Sequence, residues 1–163
     1  SQEYGLVNFI IRSLGGTALE WSLNPRLATF VIAFASVWAS IGFNMILYIG
    51  GINSISNDLY EAATIDGASG VQAFFRITVP MLAPTTFMVV LLSTVNLLKE
   101  YALVQGITQG GPGTATMTLV YYIFNVAFVN TPKYGYASAI AMVLFVLVLI
   151  VTIIQFRGSK GDN

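Results

Sequence analysis

The sequence predicts an all-α membrane protein with about three transmembrane helices. Of its 163 residues, 56% are hydrophobic and 9% are charged, and the mean hydropathy is +0.77. These fractions lie far from those of soluble domains. Several apolar runs are also long enough to cross a bilayer core, which takes roughly 20 helical residues. We therefore expect a fold of spanning helices rather than one soluble core.

The composition also excludes several function classes. The formal net charge is zero, so we expect no basic surface that holds nucleic acid by neutralising phosphates. The sequence has no Cys and no His, so it lacks the ligands of most zinc and haem sites. We therefore expect no nucleic-acid partner, no metal site and no ordinary catalytic set. The chain opens without Met or an apolar leader, and we expect it to begin within a longer protein.

Three stretches are the candidate spans. Residues 27–49 carry no charge and form the first. Residues 82–104 form the second, with Lys99 and Glu100 near one end, and residues 136–156 form the third and most apolar one. We predict that each of the three stretches crosses the membrane as a helix.

Two shorter stretches lie between the second and third spans. Residues 105–116 contain a Gly-Gly-Pro-Gly run, which interrupts any helix and predicts a loop. Residues 117–130 are apolar but only about 14 residues long, the length of an interfacial or re-entrant helix rather than a span. We therefore predict a short interfacial or re-entrant helix on the outer side.

Residues 57–80, between the first two spans, show a different pattern. Polar residues at 56–58 can cap a helix that Gly67 then stops. Ser69 opens a second capping box in the pattern SGVQ, and Pro80 is expected to end the helix that follows. The stretch is therefore predicted to form a compact helix-turn-helix. A plain connection would need only a few polar residues, so we expect a partner to dock there.

The charges near the last span give an orientation. Arg157 and Lys160 favour a cytoplasmic C-terminus under the positive-inside rule. Three crossings then place residues 50–80 in the cytoplasm, and residues 1–26 and 105–133 outside. The helix-turn-helix is therefore expected on the cytoplasmic face.

The helix-turn-helix resembles the EAA motif of ABC-importer permeases. Glu-Ala-Ala is followed after three residues by Gly67, and after nine more by Ile77 and then by Pro80, while Asp-Gly-Ala extends the match to the carbohydrate-uptake branch. Val79 stands where Leu is usual in that family. The resemblance covers the whole chain. It assigns ATPase coupling to Glu61, Ala62, Ala63, Asp66, Gly67, Ala68, Phe74, Ile77 and Pro80.

The resemblance implies both an architecture and a set of partners. Such permeases have about six core spans, of which this chain would hold the C-terminal half. The expected partners are a second permease in a heterodimer, two cytoplasmic ABC ATPase subunits, an extracytoplasmic solute-binding protein, the lipid bilayer and a sugar. The expected location is the cytoplasmic (inner) membrane of a bacterium or archaeon. Because no Walker sequence occurs, ATP and Mg²⁺ are expected on the ATPase, and this chain binds no cofactor.

Polar residues inside the spans are the candidates for a substrate pathway, because such residues are costly in lipid. They recur at helical spacing on one face of each of the first two spans. The resemblance implies that these two faces line the sugar site. The residues are Ser36, Ser40, Phe43, Asn44, Ser93, Asn96, Leu97, Lys99 and Glu100.

Other interpretations of these residues remain open. The serines can be small packing residues between helices, and Lys99 and Glu100 can extend to the outer surface or pair with the partner permease. Alternatively, Lys99 can meet an anionic substrate such as a phosphorylated glycerol.

The sequence supports one main function and two alternatives. The main hypothesis is the transport subunit of an ATP-driven carbohydrate importer, which is itself no enzyme. One alternative is a truncated remnant that docks on the ATPase but translocates nothing. The other is a membrane-embedded acid/base enzyme that uses Glu100 and Lys99.

Overall fold

The structure, a computed structural model, describes residues 5–17, 20, 23–129 and 131–159. Within these residues there is no strand, so the prediction of an all-α fold is confirmed. Lys160, used above for orientation, lies outside the described residues. The main helices are α1 Leu6–Ser13, α2 Pro25–Asn53, α3 Asn57–Ile65, α4 Gly70–Met81, α5 Ala83–Leu98, α6 Leu119–Val129 and α7 Tyr134–Ser159.

Among the residues that the structure describes, α2 and α7 are the two helices that are long and apolar enough to cross a membrane. They have 29 and 26 residues and contain the predicted spans 27–49 and 136–156. The start of α2 is encoded locally: Pro25 occupies its first position, and the side-chain oxygen of Asn24 accepts a hydrogen bond from the Arg26 N–H at 3.0 Å.

The middle span is less regular than the sequence suggests. Helix α5 has only 16 residues, and it follows α4 at a bend of 58°. The described residues therefore hold two membrane-crossing helices, or three if α4 and α5 form one broken span. The expected range 82–104 contains the end of one helix at Leu98 and the start of another after Tyr101.

Proline 80 does not end α4 as predicted. The helix continues to Met81, because residues Phe74–Thr78 form a wider π-helical turn in which the Val79 N–H reaches the Phe74 carbonyl. A proline ring collides with the carbonyl four residues earlier in a regular helix. The wider turn changes that spacing, and such π-turns are often found where a helix bends.

The chain divides into two compact units. Of the described residues, one unit comprises 39–97 and 147–159, and the other comprises those up to 38 together with 98–129 and 131–146. In the first unit, α2 packs against α5 at Gly51, where an added Cβ would lie 2.6 Å from Thr85 Oγ1. The side-chain amide of Gln155 donates to Thr94 Oγ1 at 2.9 Å in the same unit. Small residues and side-chain hydrogen bonds of this kind hold helices together in lipid.

The second unit has a small core of its own. Val126, Ala127 and Ala137 are buried together, with Tyr122 and Ile123 packed against them. These residues join α6 to the start of α7. The predicted short helix 117–130 is thus observed as Leu119–Val129, capped by Thr118, while residue 130 lies outside the described residues.

Candidate functional site: the loop between α2 and α5

Helix α3 begins at a side-chain cap. The Ser56 hydroxyl accepts a hydrogen bond from the Asp58 N–H at 3.3 Å, which satisfies one of the free donors at a helix start. The Asp58 carboxylate also lies in the first turn, where a negative charge stabilises the helix. The predicted start of this helix is therefore confirmed.

The turn after α3 requires glycine. Gly67 has a φ of +76°, its N–H reaches the Thr64 carbonyl at 3.1 Å, and the Ala68 N–H reaches the Ala63 carbonyl at 2.9 Å. These two bonds form a Schellman motif, which places a left-handed residue just after the helix. Glycine adopts that conformation without the steric cost that other residues meet. The prediction that Gly67 stops the helix is confirmed.

Helix α4 begins at the predicted capping box. The Gln72 N–H donates to the Ser69 hydroxyl at 3.4 Å, and the Ser69 N–H donates to the Gln72 side-chain oxygen at 2.8 Å. Both residues thus satisfy each other's backbone donors. The start of α4 is therefore fixed within four residues.

One side-chain hydrogen bond ties α3 to α4. The Tyr60 hydroxyl and the Thr78 Oγ1 lie 2.8 Å apart, and Thr78 is only 7% exposed. The bond joins the middle of α3 to the π-turn that precedes the bend into α5. The two short helices are therefore held as one piece, and no sequence motif pointed to Tyr60 or Thr78.

The loop encloses a shallow cavity and exposes apolar side chains. The cavity measures about 400 Å³ and places acidic Asp66 and basic Arg76 on its lining. Beside it, Ile65 is 86% exposed and Phe75 is 65% exposed. An exposed apolar surface on a well-ordered element is typical of an interaction site.

The structure separates the predicted coupling residues into two groups. Those that line the cavity are Ala63, Asp66, Gly67, Ala68 and Ile77. Glu61, Ala62 and Phe74 are exposed on the helices outside it, and Pro80 lines a different cavity of about 820 Å³ with residues of α5 and α7. Sequence reasoning missed Gln72, Ala73 and Arg76 as lining residues, although Arg76 is the only basic residue of the loop.

The predicted pathway residues differ in exposure. On α2, Ser36 is buried, Ser40 and Asn44 are half-buried, and Phe43 is 54% exposed. On α5, Ser93 is half-buried, whereas Asn96 and Leu97 are exposed. That the two sets line one pathway stays a prediction.

Glu100, a predicted pathway residue, makes two hydrogen bonds within the local fold. One of its carboxylate oxygens accepts a hydrogen bond from the Leu103 N–H at 2.9 Å, and its carbonyl accepts one from the Thr118 hydroxyl at 2.7 Å. Glu100 therefore caps the helical turn that follows it. Lys99 is exposed at the break beside it.

Together, the apolar helices and the exposed, capped loop define a membrane-embedded helical protein with an ordered loop between two of its helices. The chain belongs to the family described as binding-protein-dependent transport system inner membrane components, whose family model matches residues 6–157.

Curated relatives match nearly the whole chain. The trehalose/maltose transport system permease protein of Thermococcus litoralis is 40% identical over 157 residues, which are 96% of this chain and 52% of that protein. The sn-glycerol-3-phosphate transport system permease protein of Agrobacterium fabrum is 36% identical over 156 residues, which are 94% of this chain and 52% of that protein. This chain thus spans about half the length of the curated relatives it matches.

A solved structure shares the fold. It is a bacterial alginate ABC transporter in complex with an alginate pentasaccharide-bound periplasmic protein. It matches with a TM-score of 0.85 and 24% identity over 99% of this chain and 56% of that chain. The helical arrangement described here therefore occurs in a transporter of known structure.

Proposed function

We propose that this chain is the C-terminal half of a permease subunit in an ATP-driven, binding-protein-dependent importer of sugars or related polyhydroxylated solutes. The observation that carries the proposal is the α3–α4 loop, which is capped at both helix starts and closed by a Schellman turn, yet exposes its apolar side chains. A loop that is ordered and exposed at once has the properties of a docking element.

The loop is suited to transmit motion. A partner that pushes on α3 also moves α4, because the Tyr60–Thr78 hydrogen bond joins them. Helix α4 leads into α5 after a single residue at the 58° bend. A docked cytoplasmic ATPase subunit would therefore displace α5 directly, whereas a disordered loop would absorb the movement.

The ATPase contact combines apolar and charged groups. Exposed Ala62 and Phe74 offer apolar surface, and exposed Glu61 offers a carboxylate to a basic residue of the ATPase. Hydrogen bonds to charged groups are roughly twice as strong as neutral ones. ATP and Mg²⁺ bind to the ATPase, and this chain binds no cofactor.

The solute class follows from the relatives and the polar faces of α2 and α5. One relative is named for trehalose and maltose, another for sulfoquinovosyl glycerol and a third for glycerol-3-phosphate. Hydroxyl-rich solutes need amide and hydroxyl partners such as Asn44, Ser93 and Asn96, and an aromatic face such as Phe43. Exposed Lys99 favours a solute that carries an anionic group.

The wider assembly is part of the same proposal. It comprises a second permease subunit, two ATPase subunits and an extracytoplasmic solute-binding protein, in the cytoplasmic membrane of a bacterium or archaeon. Residues 50–80 and the C-terminus face the cytoplasm, where Arg157 in the last turn of α7 agrees with the positive-inside rule.

The two alternatives have less support. An acid/base enzyme would need a free carboxylate at Glu100, but one oxygen of that group already caps a helical turn. A docking remnant that moves nothing would keep the α3–α4 loop without a working pathway, and the experiment below separates it from a transporter.

The test is solute-stimulated ATP hydrolysis by the complete importer in vesicles, with its preceding spans, ATPase and solute-binding protein. Glu61→Ala should remove most of the stimulation, because it deletes the charged docking contact. Asp58→Ala is the matched control, since Asp58 is an exposed acid on the same helix but outside the motif, and it should leave stimulation nearly unchanged. Equal effects of the two variants would contradict the docking role. Correct assembly without stimulation by any sugar or glycerol phosphate would favour the remnant.

A further inference from the structure

Another cavity, separate from the two described above, lies at the junction of α6 and α7. It measures about 350 Å³ and is lined by Tyr122, Val126, Thr131, Lys133 and Tyr136. The Lys133 N–H donates to the Val126 carbonyl at 3.1 Å, which fixes the chain beside the cavity. None of these residues belongs to the loop or to the predicted pathway, so the cavity needs its own explanation.

The cavity lining is rich in hydrogen-bond donors. Lys133 carries an ammonium group, while Thr131 and the two tyrosines carry hydroxyls, and none of the lining residues that the structure describes is acidic. The Tyr122 and Tyr136 hydroxyls bond to each other, and this bond raises the pKa of Tyr122, which lies outside the spanning helices. A cation and neutral hydroxyls without an opposing acid suit an anionic, oxygen-rich group.

Large side chains next to the lining residues in sequence are exposed, and we refer to them as the apolar rim. Phe128 is 67% exposed and Val129 is 61% exposed, and the Phe128 ring lies 6.4 Å from the ring of Tyr134, which is itself 62% exposed. The polar cavity and this apolar rim meet where the apolar helix α7 begins. Tyrosines at the end of a spanning helix are typical of the bilayer interface.

We propose that this cavity binds the phosphate headgroup of an anionic phospholipid. Lys133 and the hydroxyls of Thr131 and Tyr136 contact the phosphate. Phe128 and Val129 lie against the start of the acyl chains. A free phosphate ion would use the polar lining alone and would leave the exposed aromatic rim unexplained, so the observations favour the lipid.

The probe is phosphatidylglycerol, titrated into the purified, delipidated complete permease and counted by native mass spectrometry. Phosphatidylcholine is the comparison lipid, because it has a phosphate but no net charge. Lys133→Gln should weaken phosphatidylglycerol binding about fivefold, the effect expected of one basic residue at a membrane surface. Lys133→Arg should bind phosphatidylglycerol like the unmodified protein. This result would show that Lys133→Gln loses binding through its missing charge and not through misfolding.

Two further variants and a competition with inorganic phosphate complete the test. Arg26→Gln, which removes another exposed cation, should leave phosphatidylglycerol binding unchanged, and Phe128→Ser should weaken it. If Lys133→Gln bound phosphatidylglycerol as tightly as the unmodified protein, the proposal would be overturned. Full displacement of the lipid by millimolar inorganic phosphate would also overturn it, because that result would assign the cavity to a free anion.

Discussion

Two segments interrupt the apolar helices of this protein, and they are closed in different ways. In residues 56–81, the turn and the caps form between residues at most five positions apart. In residues 99–118, the Thr118 hydroxyl reaches the Glu100 carbonyl across 18 positions, and Thr108 and Thr116 bond across eight. The turn and caps of the first segment are thus local, although the Tyr60–Thr78 bond also joins its two helices across 18 positions. The second segment is closed by bonds across eight and 18 positions.

The two segments also differ in what they bury. In the second segment, Val104 is fully buried. Tyr121, three residues after the end of that segment, is 6% exposed. In the first, large apolar side chains face outward, and Thr78 is the buried residue of α4. Local closure lets a segment keep its shape while its surface stays free for a partner. A segment closed by its own packing has less surface to offer.

The largest effect should come from Gly110→Ala in the second segment. Gly110 has a φ of +82°, and an added Cβ would lie 2.9 Å from Tyr121 Cε1. Backbone strain and overpacking together should cost about 3 kcal/mol. The measurement is the midpoint of thermal unfolding of the detergent-purified permease.

Gly113→Ala is the matched control for this prediction. Gly113 also has a positive φ, of +61°, but no atom lies within 4 Å of an added Cβ. It should therefore cost only about 1 kcal/mol, for backbone strain alone. A Gly110 variant that unfolds at the same temperature as the Gly113 variant would show that packing on Tyr121 contributes nothing.

A smaller and more local effect should come from Gly67→Ala in the first segment. Gly67 has a φ of +76° with open space around it, so the cost should be about 1 kcal/mol. Because the segment is closed locally, we expect faster hydrogen exchange at Ala68 and weaker solute-stimulated ATP hydrolysis. The unfolding midpoint should change little.

Gly70→Ala serves as the control in the same loop, because Gly70 has no positive φ and nothing lies within 4 Å of its added Cβ. It should keep both the exchange rate and the ATPase stimulation. If Gly67→Ala lowered the unfolding midpoint as much as Gly110→Ala, the loop would not be an independent local unit.

The same difference explains how much could be predicted from the sequence. The caps at Ser56 and Ser69 and the stop at Gly67 were predictable, because each depends on residues within a few positions. The break after Leu98 was not, because no local pattern marks it, and the Thr118 hydroxyl that bonds the nearby Glu100 carbonyl lies 18 positions further along the chain. The continuation of α4 past Pro80 was missed because a π-turn has no clear sequence signal.

The same limit applied to the candidate site, where features set by neighbouring residues were predictable and contacts between distant residues were not. The motif pointed to residues of α3, the turn and α4, whereas the Tyr60–Thr78 bond spans 18 positions and appeared only in the structure. The pathway residues were chosen by helical spacing. Spacing places them on one face of a helix but does not say what that face meets.

The smallest effect on stability, and the most informative about function, should come from Glu100→Gln. Glutamine keeps a side-chain oxygen for the Leu103 N–H but removes the charge, so the cost should be about 0.5 kcal/mol or less. Glu100→Ala, which removes the cap, should cost about 1 kcal/mol. Solute-stimulated ATP hydrolysis is then measured for both variants across neutral and anionic solutes.

The pair of variants separates the two roles considered for Glu100, the observed helix cap and the predicted solute contact. If the carboxylate contacts solute, Glu100→Gln should change the solute response while the unfolding midpoint stays near that of the unmodified protein. If it only caps the turn, Glu100→Gln should behave like the unmodified protein and Glu100→Ala should be less stable with an unchanged solute preference. The second result would remove Glu100 from the pathway and leave Lys99 as the charged candidate beside it, at a break in the helix that Glu100 holds in shape.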